Sequence, residues 1–439
     1  MDLGNQLVIP SSLFPYPFPL FPPPPMSRHI VILGGGVIGL SSALACLKRG
    51  HRVTVIERDP QRRGASLGNA GMVVPSHFVP LAAPGMVAMG LKWMLSPESP
   101  FYIKPRLDWD LITWGLKFWR ASTKAHVERS APLLRDLSLA SRKLYADLAE
   151  KEEFGLVKKG LLMLCKTQHG LDEEAQTAKK ARALGIPAEI LDARATAELD
   201  PAVTMDIAGS VYFPQDCHLQ PDRYVNTLLR LIRAAGGEVL DEVEVTGFRK
   251  SGKRVVAALT STGDEIAGDE FVLASGAWSP GLVHDLGLRL SMQAGKGYSL
   301  TLPAPVELPQ ICAIFTEARV AATPMGSSLR IGGTMEIAGM NETVARRRIE
   351  GILKAVPQYY PRFRREHFEG VAPWYGFRPC PPDGLPYLGR TQAADNLVIA
   401  TGHGMMGLSL APVTGEVVGR LVDREPAGFD GFEMLSPDR

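Results

Sequence analysis

Arg378 stands in the run Gly376-Phe-Arg-Pro379, with Pro381 close behind. A guanidinium offers a rigid two-pronged donor set that matches a carboxylate, and the prolines stiffen the segment that carries it. The competing use of such an arginine is a structural ion pair. Two glycine-rich turns supply a different chemistry. Gly34-Gly-Gly36-Val-Ile-Gly39 and Gly402-His-Gly-Met-Met-Gly407 each open a helix, whose first amides and positive dipole end meet negative charge.

The elements around the first turn give it a use. His29-Ile-Val-Ile-Leu33 and Arg52-Val-Thr-Val-Ile-Glu57 read as buried strands, and Val37, Leu40, Ala43, Leu44 and Leu47 recur at helical spacing before Gly50. This is the crossover of a right-handed βαβ unit, so the strands are parallel. Gly34 permits the tight turn, Gly36 lets backbone approach a pyrophosphate, and Gly39 lets helix and strand pack closely, with Val37 and Ile38 between them. Glu57 ends the second strand where ribose hydroxyls of a dinucleotide lie, followed by Arg58. Its carboxylate argues against the extra phosphate of NADP.

With 439 residues the chain can bury a large core, in two interleaved domains rather than one. Its 48 basic and 46 acidic residues balance, so no global field recruits nucleic acid. Cys46, Cys165, Cys217, Cys312 and Cys380 are dispersed without CxxC spacing, which suits a reduced, cytoplasmic protein rather than a disulfide framework or zinc site. Asp216-Cys-His218 has no further ligand nearby, and no metal is expected. No apolar run reaches the roughly 20 residues of a membrane span. Residues 1–25, ending in Phe21-Pro-Pro-Pro-Pro25, read as a disordered extension.

Helices are expected over Pro132–Lys151, Asp172–Leu184, from Pro221 to Ala235 and over Asn341–Val356. Strands are expected over Glu242–Phe248, Arg254–Ser261, Glu270–Ala274, Tyr298–Leu302, Arg319–Thr323, Leu329–Gly333 and Leu397–Thr401. Between Leu81 and Arg120 lies an aromatic-rich helical stretch around Trp93, Trp109, Trp114, Phe118 and Trp119. It either buries these rings or presents an apolar surface to a membrane or quinone. The fold class is α/β: a Rossmann-like nucleotide domain over 27–80, 215–288 and 371–424, and an α+β substrate domain on a mixed or antiparallel sheet over 81–214 and 289–370.

In this order the motifs resemble the D-amino-acid oxidase superfamily of FAD enzymes, most closely its bacterial D-amino-acid dehydrogenase branch. Carrying the resemblance are the two glycine turns, Gly64-Ala-Ser-Leu-Gly-Asn-Ala-Gly71, Leu81-Ala-Ala-Pro-Gly85, Lys92-Trp-Met94, Ala274-Ser-Gly-Ala-Trp278, Lys296-Gly-Tyr-Ser299, Phe377-Arg-Pro379 and Pro382-Asp-Gly-Leu-Pro386. It implies FAD held by Ser66, Asn69, Ala70, Gly71 and Met72 along the pyrophosphate-to-flavin run. Val243 brackets adenine, and Ser275, Gly276 and Trp278 lie by the adenosine phosphates. Gly402, His403, Gly404, Met405, Met406 and Gly407 lie at the pyrimidine side of the ring, where their helix stabilises charge near N1 and O2. Arg378 takes the substrate carboxylate. Tyr298 either covers substrate or flavin or packs, and the His403 ring touches the flavin edge without acting as a base. Glycine oxidases carry a second arginine where this chain has Met405, which favours an apolar substrate side chain here. Cys380 does not match the cysteine that tethers FAD in sarcosine-oxidase relatives, so noncovalent FAD is expected. His77 either reaches the pocket or is a satisfied structural residue.

The implied activity is oxidative deamination of D-amino acids to 2-oxo acids, with hydride transfer from the α-carbon to flavin N5 and onward transfer to a quinone, the respiratory chain or oxygen. Peripheral contact with the inner face of the membrane goes with such an acceptor. D-proline or 4-hydroxy-D-proline dehydrogenation, sarcosine- or glycine-type oxidation, a nicotinamide-dependent dehydrogenase and a catalytically idle flavin subunit are the alternatives.

Overall fold

The computed structural model describes residues 27–61, 64–94 and 99–439; the expectation for residues 1–25 lies outside them. A six-stranded sheet runs in the order Tyr387–Thr391, Ala394–Thr401, Glu270–Leu273, His29–Leu33, Arg52–Glu57, Glu238–Asp241. All neighbours pair in parallel except the edge strand Tyr387–Thr391. Both faces are covered, which is why its central strands are continuous β-branched runs rather than alternating ones. The helix Val37–Lys48 lies on one face against the helix Gly407–Val422. A Cβ on Gly415 would fall 2.5 Å from the Ser41 carbonyl oxygen, so the two backbones touch. The helix Lys124–Ala149 also packs into this core through Leu133, Leu134, Leu137 and Tyr145.

A second sheet of nine strands is mixed. Its path is Trp374–Cys380, Gln293–Leu302, Ser328–Ile337, Val320–Met325, Cys312–Phe315, Leu161–Cys165, Gly209–Phe213, Glu189–Asp192, with Phe101–Ile103 added beside Ser328–Ile337. The helix Arg346–Tyr359 covers it, and Phe315 stacks on Tyr359 with centroids 4.4 Å apart. The fold is thus the expected α/β arrangement of a nucleotide-type sheet and a mixed sheet.

Several elements differ from the reading of the sequence. Glu238–Asp241, not Glu242–Phe248, joins the parallel sheet. As a half-buried edge strand bounded by charges it has no apolar run to announce it. The chain then turns at Glu242, in the left-handed region at φ 64°, into a separate antiparallel meander of Val245–Ser251, Arg254–Thr260 and Glu265–Ala267. The helix expected from Pro132 begins at Lys124, after a Thr123 side chain that accepts from the His126 amide, and runs through the proline. Residue 371, where the nucleotide domain was expected to resume, leads into Trp374–Cys380, which pairs with Gln293–Leu302 in the second sheet. Of the aromatic stretch, Trp114 is buried and donates Nε1–H to the Cys380 carbonyl at 2.8 Å, whereas Trp109 and Trp119 are 81% and 64% exposed.

Candidate active site

The carboxyl ends of His29–Leu33, Glu270–Leu273 and Ala394–Thr401 open into a cavity of about 1140 Å³ that continues across the second sheet. Pockets for small ligands run from roughly 300 to 1,000 Å³, so this one takes something longer. At one end Gly34, at φ 113°, turns where an added Cβ would lie 2.6 Å from the Ala274 carbonyl oxygen. A Cβ on Gly39 would lie 1.8 Å from the Gly34 oxygen; its role is helix-to-strand contact, and it does not line the cavity. Gly36, Val37, Ile38, Glu57, Arg58, Val243, Ser275, Gly276 and Trp278 all do. The Glu57 carboxylate accepts from the Gly35 and Asp59 amides at 2.7 and 2.8 Å, which fixes it at the strand end. Arg58 lies 4.1 Å over the Trp278 ring and forms the adjoining wall.

Further along, Ser66 accepts from the Val37 amide at 3.1 Å and Asn69 Oδ1 from the Gly71 amide at 2.9 Å. Ser66, Asn69, Ala70 and Met72 line the cavity, whereas Gly71 shapes the loop from behind. The loop is held by residues the sequence did not single out. Arg330, half-buried on the second sheet, donates to the carbonyls of Leu67 and Asn69 at 2.9 and 2.7 Å, and Ser299 Oγ donates to the Gly68 carbonyl at 3.0 Å.

The two helix starts that open on the cavity share one feature. Gly36 and Met406 cap their helices with no side-chain hydrogen bond, and neither helix has an acidic residue in its first turn. Apart from the Val37 amide, which Ser66 takes, side chains leave these terminal amides for anionic partners. His403, Gly404, Met405 and Met406 follow Gly402 along the cavity wall, with Gly407 at the helix start. His403 Nε2 bonds Thr414 Oγ1 at 3.0 Å, and Nδ1 is buried with no partner among the described residues. Burial lowers this imidazole to about 3, so it is neutral.

At the far end, Arg378 projects from Trp374–Cys380. Its Nη1 donates to the Thr334 carbonyl at 2.5 Å, Thr334 being held in the left-handed region at φ 69°. Burial pulls its pKa down and no carboxylate raises it. The structural ion pair is thereby missing among the described residues, and a cation faces the cavity uncompensated. Tyr298 is buried, with its hydroxyl donating to Glu336 at 2.7 Å and accepting from the Ala345 amide at 3.2 Å. Burial, then the bond to Glu336, pushes this phenol upward, so it stays protonated. Trp374 fills the space a Cβ on Gly68 or Gly376 would need, which joins the loop at Gly68 to the strand that carries Arg378. His77 lines the cavity too.

A ligand that needs anion-binding amides at two places along one cavity, with glycines and small residues between, is a flavin dinucleotide, so fold and site define a flavoprotein oxidoreductase. The chain belongs to the FAD dependent oxidoreductase (DAO) family, whose model it matches over residues 29–421. The D-amino acid dehydrogenase of Helicobacter pylori is 30% identical over 398 residues, 90% of this chain and 95% of that one. That of Cereibacter sphaeroides (strain ATCC 17029 / ATH 2.4.9) is 33% identical over 427 residues, 94% and 96% of the two chains. Among solved structures, glycine oxidase from Geobacillus kaustophilus superimposes with a TM-score of 0.75 at 28% identity, covering 94% of this chain and 99% of that one. The L-alpha-glycerophosphate oxidase from Mycoplasma pneumoniae with FAD bound shares the fold, with a TM-score of 0.69 at 15% identity over 90% and 95% of the two chains.

Proposed function

We propose that the protein is an FAD-dependent D-amino-acid dehydrogenase. The observation that carries the reading is the Arg378 guanidinium, half-buried in the cavity wall without a carboxylate partner among the described residues and steadied by the Thr334 carbonyl. It pairs with the substrate carboxylate and orients the α-carbon toward the ring end of the cofactor. FAD, when bound, supplies the two-electron acceptor for the α-hydrogen. The helix start at Met406 and Gly407 lends positive potential to the pyrimidine side of the ring. Water then hydrolyses the released imino acid to a 2-oxo acid and ammonia.

Noncovalent attachment is supported by Cys380, which is buried outside the cavity lining with its thiol pushed up to about 11 by burial. Met405 in the lining favours an apolar side chain. The likeness to a glycine oxidase keeps glycine and sarcosine as the second reading, and D-proline or 4-hydroxy-D-proline fits the same clamp as a secondary amine. Among the described residues no helix is long and apolar enough to cross a membrane. The exposed Trp109 and Trp119, with Ile112 and Leu116 on the same helix, support peripheral membrane contact and a quinone as acceptor. Five free buried cysteines suit a cytoplasmic setting. Anaerobic flavin bleaching by a panel of D-amino acids, D-proline, 4-hydroxy-D-proline, glycine and sarcosine tests the reading; bleaching by none of them rejects it.

A further inference from the structure

An amino acid enters at neutral pH as an ammonium, whereas its oxidation needs the nitrogen lone pair, so one proton must leave before the α-hydrogen does. Arg378 cannot take it. Neither can Tyr298, whose hydroxyl is committed to Glu336; His403 has a free Nδ1, but its other nitrogen meets only the Thr414 hydroxyl, so a proton taken there has no carboxylate to reach. On the cavity wall, His77 heads a hydrogen-bonded chain that runs inward to a carboxylate. His77 lines the cavity, and its Nδ1 lies 3.0 Å from Ser76 Oγ. Ser76 Oγ in turn donates to Asp216 Oδ2 at 2.5 Å, and the Ser76 amide donates to Oδ1 of the same carboxylate at 3.1 Å. Asp216 is wholly buried. The short pairing of Met72–Val73 with Cys217–His218 brings the two segments together, 140 residues apart in the chain.

With Asp216 ionised, the directions of these bonds follow from the groups' donor and acceptor capacity. An ionised Asp216 only accepts, so the Ser76 hydroxyl hydrogen points at it. The Ser76 oxygen then accepts from His77, which places the imidazole hydrogen on Nδ1 and leaves Nε2 as a bare lone pair without a protein partner among the described residues.

We infer that His77, Ser76 and Asp216 form a proton relay that deprotonates the substrate ammonium. The inference rests on the amino-acid oxidation proposed above. The N–H bond of the ammonium breaks and its proton goes to His77 Nε2; the Nδ1 proton passes to Ser76 Oγ as the Ser76 hydroxyl proton passes to Asp216. The balance is one proton lost by the substrate and one gained by the carboxylate, with no electrons moved. After product leaves, the proton returns by the same path to water. Asp216 suits the role because burial, opposed by the two Ser76 bonds and by Arg142, raises it to about 7. Burial, helped by the charge of Arg319, holds the His77 imidazole at about 4, so His77 passes the proton on rather than storing it. The other ionisable groups close to Asp216 are Cys217 and Cys312, both raised by burial and neutral.

The test compares FAD-loaded wild type, His77→Gln and Asp216→Asn by anaerobic flavin reduction with the best substrate of the panel, from neutral pH to about pH 10, where the free amine is already neutral. The relay predicts a loss of roughly 100-fold at neutral pH in both variants, shrinking to a few-fold at the alkaline end. It also predicts an infrared band of a protonated carboxyl in the reduced-minus-oxidised difference spectrum of wild type, absent from Asp216→Asn. A loss equal at every pH, or no loss in His77→Gln, overturns the relay while leaving the oxidase reading intact. If Asp216→Asn does not fold, His77→Gln decides alone. Failure of wild type to bleach with any amine overturns both.

Discussion

The Arg378 guanidinium lies over Gly297, two residues along from Gly295, its partner on the neighbouring strand, and a Cβ on Gly297 would fall 2.3 Å from the guanidinium carbon and both its terminal nitrogens. The glycine is thus a seat for the cation. Gly297→Ala should displace the guanidinium and raise the KM for carboxylated substrates by about tenfold or more, with the bound flavin spectrum unchanged. Steady-state kinetics beside flavin content per chain checks both parts.

Removing the cation itself has a larger effect. Arg378→Ala should weaken substrate binding by about 3 kcal/mol, roughly 100-fold, while FAD stays bound. Unchanged binding of a carboxylate inhibitor, followed by perturbation of the flavin absorbance, would reject its role.

Arg330 acts on the cofactor side. Arg330→Ala leaves the carbonyls of Leu67 and Asn69 without their donor and should loosen the loop between them. FAD affinity should fall by about tenfold or more, with little change in the substrate KM once the enzyme is saturated with FAD. Titration of the apoprotein with FAD measures it.

Gly39→Ala should remove flavin altogether. Its Cβ would overlap the Gly34 oxygen at 1.8 Å, so helix and turn cannot keep their contact. The expected product is colourless or insoluble, against a yellow wild type purified in parallel.

Acid should destabilise the protein through its buried histidines. His77 and His218 are lowered to about 4 and His403 to about 3 from 6.5, chiefly by burial. The unfolded chain binds more protons than the folded one between these values, so stability falls as pH drops below about 6.5. Asp216, raised from 3.8 to about 7, opposes them by gaining stability as pH falls through that interval, and Glu174 and Asp200, also raised by burial, act in the same sense, whereas His29, lowered chiefly by burial, joins the other histidines. Melting temperature should therefore decline on the acid side, and His218→Gln should make the decline shallower by about one proton.

The parts of this molecule that were legible in its sequence are those fixed by a single residue's conformation or by one short run. Gly34 and Gly39 announce a tight turn and a close helix-to-turn contact because an added Cβ would meet backbone oxygen at 2.6 and 1.8 Å, and Gly376-Phe-Arg-Pro379 announces a stiffened cation. What escaped is what register decides. Gly297 beneath the Arg378 guanidinium, Arg330 beside the loop at Leu67, and Ser76 against Asp216 each join segments separated by many positions, and no local periodicity encodes which strand lies beside which. Glu238–Asp241 escaped for another reason. An edge strand buries one side only, and its alternation is too short to stand out.

The contact of Ser41 with Gly415 has a consequence for biosynthesis. The first helix of the nucleotide site rests on one that follows it by some hundreds of residues, and the turn at the head of that later helix completes the wall around the ring end of the cavity. A nascent chain that has emerged only as far as the second sheet holds the adenosine half of a site and no seat for the flavin. Cofactor capture therefore belongs to the end of synthesis, and a chain cut short before Gly402 would be left with an open, apolar groove for chaperones and proteases to find.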